Sequence, residues 1–257
     1  MKRGAHIIWA ALIGLAGCGG DDDGGGGAAH YGRAGLLGPE VTRITLEVDY
    51  QDTAAPYTDL GLRPGNPWTL TETNLRALAG PDKALDVPME LDEMTALDDL
   101  DEGPDFTVDE ILDIAARHRG TPSEATARAF YVVWLDGYYE DGEGRRPDVL
   151  GVSLGDTGVI AMFKPVIDGT DAPRFVEQTT LIHELGHAIG LVNNGLSLTA
   201  AHHDAEHGAH CTDQDCVMYY LNEGSRDLAG FVRRVVLSQD TVIFGADCLA
   251  DAAAARE

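Results

Sequence analysis

Basic residues are scarce in this chain of 257: Lys and Arg number 18 against 43 Asp and Glu, a formal net charge of −25. A surface of that sign repels phosphate backbones and keeps a protein soluble, so nucleic acid binding is excluded as a function class. Long apolar runs are also missing. The one apolar stretch of note, residues 7–16, falls well short of the roughly 20 residues a membrane-spanning helix needs. No internal repeat is present, and no propeptide with a recognisable cysteine switch. Cysteine itself is sparse, limited to Cys18, Cys211, Cys216 and Cys248.

What is present begins with a processing signal. Lys2 and Arg3 precede the apolar stretch, and Leu15-Ala16-Gly17-Cys18 closes it. This run resembles a bacterial lipobox. The resemblance implies that residues 1–17 are removed, that Cys18 becomes the lipid-bearing first residue, and that 18–35 is a Gly/Asp-rich flexible tether. The expected location is therefore the bacterial cell envelope, at the outer membrane or cell surface. An ordinary cleaved signal would export the protein as well. Export favours disulfides and leaves an odd set of cysteines. Cys211 and Cys216 are close enough to close a small loop, with Cys248 left over, although by counting Cys248 can equally bridge either one.

Residues 36–257 suffice for one substantial domain, read as an N-terminal half (36–192) and a C-terminal half (193–257). Alternation of Ile44, Leu46 and Val48 predicts a strand over 41–50, and helical spacing predicts helices over 67–79 and 107–119. Further strands are expected over 85–91, 129–135, 149–154 and 159–166, and helices over 228–237 and 241–254, with the Ala-rich tail 252–255 fraying. The acidic stretch 136–143 suits a hairpin loop better than a calcium site.

The chemistry is concentrated in Leu181-Ile182-His183-Glu184-Leu185-Gly186-His187-Ala188-Ile189-Gly190. On a helix, residues four apart share a face, so His183 and His187 can reach one metal ion while Glu184 points at its open corner. Two imidazoles suit zinc, and a carboxylate at that corner can act as general base for an attacking water. Phe175, Val176, Leu181, Ile182, Leu185, Ala188, Ile189 and Leu191 supply the buried stripe, and Gly190 suits a left-handed helix stop. The structural alternative is a helix that merely packs its histidines.

A catalytic zinc normally takes a third protein ligand. The metzincin pattern H-E-x-x-H-x-x-G-x-x-H is matched through Gly190, but the next ligand position holds Asn193, a poor partner for zinc beside imidazole. Downstream lies the histidine-dense stretch from His202 to Cys211, then Cys216-Val217-Met218. The string His210-Cys211, four residues, Cys216-Val217-Met218 resembles the H-C-x4-C-x-M signature of archaemetzincins. That resemblance implies His210 as third ligand, Met218 as the methionine of the turn beneath the metal, and residues 193–209 as an insertion. His207 competes for the same corner, with Asp204 and His202 as further candidates. Tyr220 matches a tyrosine that astacins and serralysins place near the metal, where it can donate to an oxyanion, or it simply packs.

Archaemetzincins also carry a later C-x-x-C pair that completes a structural zinc site. This chain has only Cys248 there, so one catalytic zinc is expected. The sequence also resembles zinc-peptidase-like lipoproteins with a comparable His-rich insert. The implied fold is α+β and metzincin-like: a twisted mixed sheet, an active-site helix, and a mainly helical or irregular C-terminal half. The implied activity is a monomeric zinc metalloendopeptidase acting on a peptide or protein, with the strand at 159–166 read either as an edge that pairs with substrate or as an ordinary core strand. The alternative, supported by Asn193, is an inactive zinc-binding surface lipoprotein serving as a binding module.

Overall fold

Alternating burial of Ile44, Leu46 and Val48 makes β1 (Arg43–Gln51) a strand with one face in the core. The computed structural model describes residues 35–61, 64–100, 103–223, 231 and 241–257. Residues 1–17, Cys18 with nearly all of the tether, and all of the helix expected over 228–237 except Phe231 lie outside the described residues. No helix among the described residues is long and apolar enough to cross a membrane.

After β1 come α1 (Trp68–Ala79), β2 (Ala84–Asp86), β3 (Thr95–Leu97), β4 (Asp105–Phe106), α2 (Val108–His118) and β5 (Ala127–Leu135). A hairpin of β6 (Tyr138–Asp141) and β7 (Gly144–Arg146) leads to β8 (Gly151–Ser153), β9 (Val159–Phe163), α3 (Lys164–Asp168) and α4 (Pro173–Ile189). The C-terminal half is mostly irregular, with the short ribbon β10 (His203–Asp204) and β11 (His210–Cys211) and a final helix, α5 (Ala246–Ala254). The main sheet runs β2-β1-β5-β9-β8, with β3 also paired to β1. Every pairing in it is parallel except β8 with β9. The molecule is thus a mixed α/β protein with a mixed sheet. β5 lies between β1 and β9 and is buried from Ala129 to Leu135, which is why its sequence is a nearly unbroken apolar run rather than an alternation.

Helix α4 enters with Pro173 in its first turn, where a missing N–H costs nothing. Every residue from Val176 to Ile189 is buried, so the helix is enclosed on all sides rather than along one stripe, with Phe175 only half-buried. Its polar residues must then find partners inside the protein. Glu177 accepts from Lys164 Nζ at 2.7 Å and from the Tyr57 amide at 2.7 Å, and Gln178 accepts from the Thr71 hydroxyl at 2.6 Å.

Several expectations are corrected. The strand over 85–91 stops at Asp86, because Pro88 cannot donate to a ladder. The strand over 159–166 stops at Phe163, where Lys164-Pro165 opens α3, and it is not an edge: β5 and β9 pair on one side and β8 on the other. The edge is β8. The acidic stretch is less of a loop than expected: Asp136 and Gly137 precede β6, Tyr138–Asp141 is β6 itself, and only 142–143 form the turn to β7, with Asp141 paired to Arg146. The last helix begins only at Ala246, and its tail is tied down: Ala252 is buried and Arg256 donates to the carbonyls of Ala77 and Leu78.

Helix α2 starts with a capping box in which Thr107 Oγ1 accepts from the Glu110 amide while the Glu110 carboxylate accepts from the Thr107 amide at 2.8 Å. The side-chain and backbone hydrogen bonds from Thr107 hold the Glu110 carboxyl below its ordinary 4.5. Thr107→Ala is expected to cost about 1 kcal/mol in denaturant melts. Glu110's share of the stability is present above its unfolded pKa and disappears as pH falls through the lowered folded value, so the penalty of the substitution shrinks at acid pH.

Candidate metal centre

The last two turns of α4 deliver His183 and His187, with their Nε2 atoms 3.0 Å apart. Two nitrogens on one tetrahedral zinc, each about 2.05 Å from it, lie about 3.3 Å from one another, so the spacing suits a shared ion. His183 Nδ1 donates to the carbonyl of Val217 at 2.8 Å. A carbonyl can only accept, which fixes the proton on Nδ1 and leaves Nε2 as a lone pair.

The third imidazole comes from β11. Its partner β10 pairs Asp204 with His210 and His203 with Cys211, and the Cys211 amide bonds to the Met218 carbonyl at 2.7 Å. These ties carry His210 to the helix from 23 positions beyond His187 in sequence. His210 Nδ1 donates to the His207 carbonyl at 2.5 Å, again freeing Nε2 as the ligating atom. Ring centroids are 4.7 Å apart for His183 and His187, 5.3 Å for His183 and His210, and 4.9 Å for His187 and His210. All three side chains are buried, and their nitrogens form a group able to hold one metal ion.

Glu184 follows His183 on the same helix and is 5% exposed. Its Cγ would lie 3.2 Å from a Cβ at Gly151, so glycine there eases the close approach of edge strand β8 to the Glu184 side chain. Beneath the trio sits Met218, fully buried. A Cβ at Gly186 would fall 2.3 Å from its sulfur, so the middle glycine of the motif is the seat of the methionine. Neither glycine contact was legible from spacing, because both depend on segments distant in sequence.

After α4 the chain turns through Gly190 (φ 100), Val192 (φ 54) and Asn193 (φ 61), all left-handed. A β-branched residue rarely adopts that conformation. The turn is held by Leu196 N to Gly190 O at 2.8 Å and by Asn194 Nδ2 to His187 O at 3.1 Å. The rival candidates are placed elsewhere. His207 stacks on Tyr220 with centroids 3.6 Å apart and donates to Asp204 at 2.8 Å, so His207, Asp204 and Tyr220 form one assembly beside the trio.

His202 lies in a second cluster with Cys211 and Cys248. The cysteines correct the disulfide expectation: no disulfide joins Cys211, Cys216 and Cys248, all of which are buried.

The Gly186 contact makes a specific prediction. Gly186→Ala forces Met218 aside and is expected to cost about 1–3 kcal/mol, overriding the gain of about 1 kcal/mol that alanine brings to a helix interior. In a Met218→Ala background the same substitution is expected to be nearly neutral or stabilising, a coupling that a double-mutant cycle in denaturant melts measures directly.

No family model matches the chain, and no curated protein matches it. Among solved structures, it is similar to the crystal structure of a zinc-dependent peptidase from Methanocorpusculum labreanum (strain Z), with a TM-score of 0.44 and 14% identity, the likeness covering 81% of this chain and 99% of that one.

Proposed function

We propose that the chain is a zinc-dependent endopeptidase of metzincin type, held at the bacterial envelope by lipid on Cys18. The observation that carries this reading is the convergence of His183, His187 and His210, with Glu184 next to the first of them and an edge strand alongside. The three imidazoles fit the ion: two have their Nδ1 protons committed to carbonyls, and all are shielded from bulk water.

Zinc, when held there, supplies Lewis acidity and lowers the pKa of a water it binds to about 7. The protein's own part is proton handling and alignment. Glu184 takes the proton of the attacking water and hands it to the departing amine, so the bond that forms is carbon to oxygen and the one that breaks is carbon to nitrogen. An extended peptide aligns by adding a strand to β8, whose outer edge is the last of the sheet. Tyr220, braced against His207, stands ready to donate to the oxyanion.

The reading includes a monomer that takes peptides or proteins and leaves nucleic acids alone, supported by the net charge of −25. The alternative, an inactive zinc-binding module suggested by Asn193, would hold the same ion, and cleavage is what separates the two.

Glu184→Gln is expected to keep bound zinc while lowering the rate of casein cleavage by at least about 100-fold. His210→Ala is expected to lose the ion held by the helix histidines, and cleavage with it. Undiminished cleavage by Glu184→Gln overturns the mechanism. Anchoring is checked separately: Cys18→Ala should move the protein from the membrane fraction to the soluble one.

A further inference from the structure

Four side chains that the proposed hydrolysis does not use lie together in a second cluster. His202 Nδ1 lies 3.3 Å from Cys211 Sγ and 3.9 Å from Cys248 Sγ, and Cys248 Sγ lies 3.6 Å from Cys216 Sγ. All four residues are at most 2% exposed. They come from the inserted loop, from β11, from the turn before Met218 and from α5, so no pair of helix turns or strand neighbours explains their meeting.

The distances discriminate between explanations. A disulfide needs about 2.05 Å between sulfurs, and closing one would still strand the third thiol. Tetrahedral zinc has sulfur at about 2.3 Å and imidazole nitrogen at about 2.05 Å, which puts sulfurs about 3.8 Å apart and sulfur to nitrogen about 3.5 Å. The three observed spacings lie near those edges, and the atoms of His202, Cys211 and Cys248 all lie within 4.8 Å of one another, a group that Cys216 adjoins without being part of it. Cys216 enters the cluster through Cys248.

The surroundings are those of ligands. His202 Nε2 donates to Asp251 Oδ2 at 2.7 Å, which leaves Nδ1 as a lone pair aimed among the sulfurs. A carboxylate behind a ligating histidine is the usual arrangement, since it fixes the tautomer and ring orientation. Asp251 is itself held, accepting from the Thr199 amide at 2.6 Å and its hydroxyl at 2.7 Å through Oδ1. Two sulfurs accept backbone N–H groups, Cys216 from Gly245 at 3.1 Å and Cys211 from Asp213 at 3.4 Å, as suits thiolates.

We propose that His202, Cys211 and Cys248 bind a second zinc ion, with Cys216, 3.6 Å from Cys248, drawn in as the fourth ligand of a closed Cys3His site and Asp251 orienting His202. The three thiol protons leave to solvent as the ion binds. Four protein ligands leave no corner for water, so the role is structural. The ion fastens the His-rich loop, β11, the Met218 turn and α5 to one point, and Cys211 is the neighbour of His210. This ligand set differs from that of archaemetzincins, whose later C-x-x-C pair the chain lacks: the imidazole comes from the insertion upstream.

The test uses the full chain purified in detergent, with metal content and zinc X-ray absorption measured on the same sample. Two ions per chain with a zinc–sulfur shell near 2.3 Å, three sulfurs shared over both, is the expected result. One ion with three sulfurs supports this site and removes the catalytic one. One ion without sulfur, no ion at all, or a disulfide between any two of the three cysteines overturns the proposal. His183→Ala/His187→Ala is expected to retain one ion and, loaded with cobalt, to show thiolate-to-cobalt absorption. His202→Cys replaces the imidazole with a fourth thiolate and is expected to keep that absorption, whereas Asp251→Asn should weaken zinc retention about 10- to 100-fold.

Discussion

The enclosure of helix α4 is the constraint from which the rest follows. A helix buried on every side cannot leave its polar groups to water, so most are answered from other parts of the chain, Gln178 Nε2 and Thr180 Oγ1 being exceptions. Glu177 is answered by Lys164 and Tyr57, Gln178 by Thr71, His183 by the Val217 carbonyl. Burial alone would push the Glu177 carboxyl up, with Lys164 pulling against it, and the arrangement persists because both partners are held in place. The same enclosure keeps bulk water from the imidazoles and shapes what they can do.

Local spacing was enough to find the helix, its glycine stop and two of the histidines, since all depend on residues within one or two turns. His210 was legible through its neighbours Cys211, Cys216 and Met218. His density in the loop was not informative by itself: His202, His203, His207 and His210 look alike in sequence, and only the β10–β11 register and the Met218 carbonyl decide which one reaches α4.

Strand order was not legible, because Ala127–Leu135 and Val159–Phe163 are both continuous apolar runs and nothing local tells a central strand from an edge. The short, half-buried β8 carries little sequence signal, yet it is the strand beside Glu184. His202 and Asp251 are 49 residues apart with no shared pattern, so their pairing had no sequence signature.

His210 and Cys211 are adjacent, and successive residues of a strand face opposite ways. One therefore looks toward α4 and the other toward α5, and a segment of two residues serves as the wall between two donor sets of different softness. A slip of the ribbon by a single residue would bring the Cys211 sulfur to the place of the His210 imidazole and Thr212 to the place of Cys211, spoiling both donor sets at once. Pairing frame, rather than ligand identity alone, is what keeps the two chemistries apart.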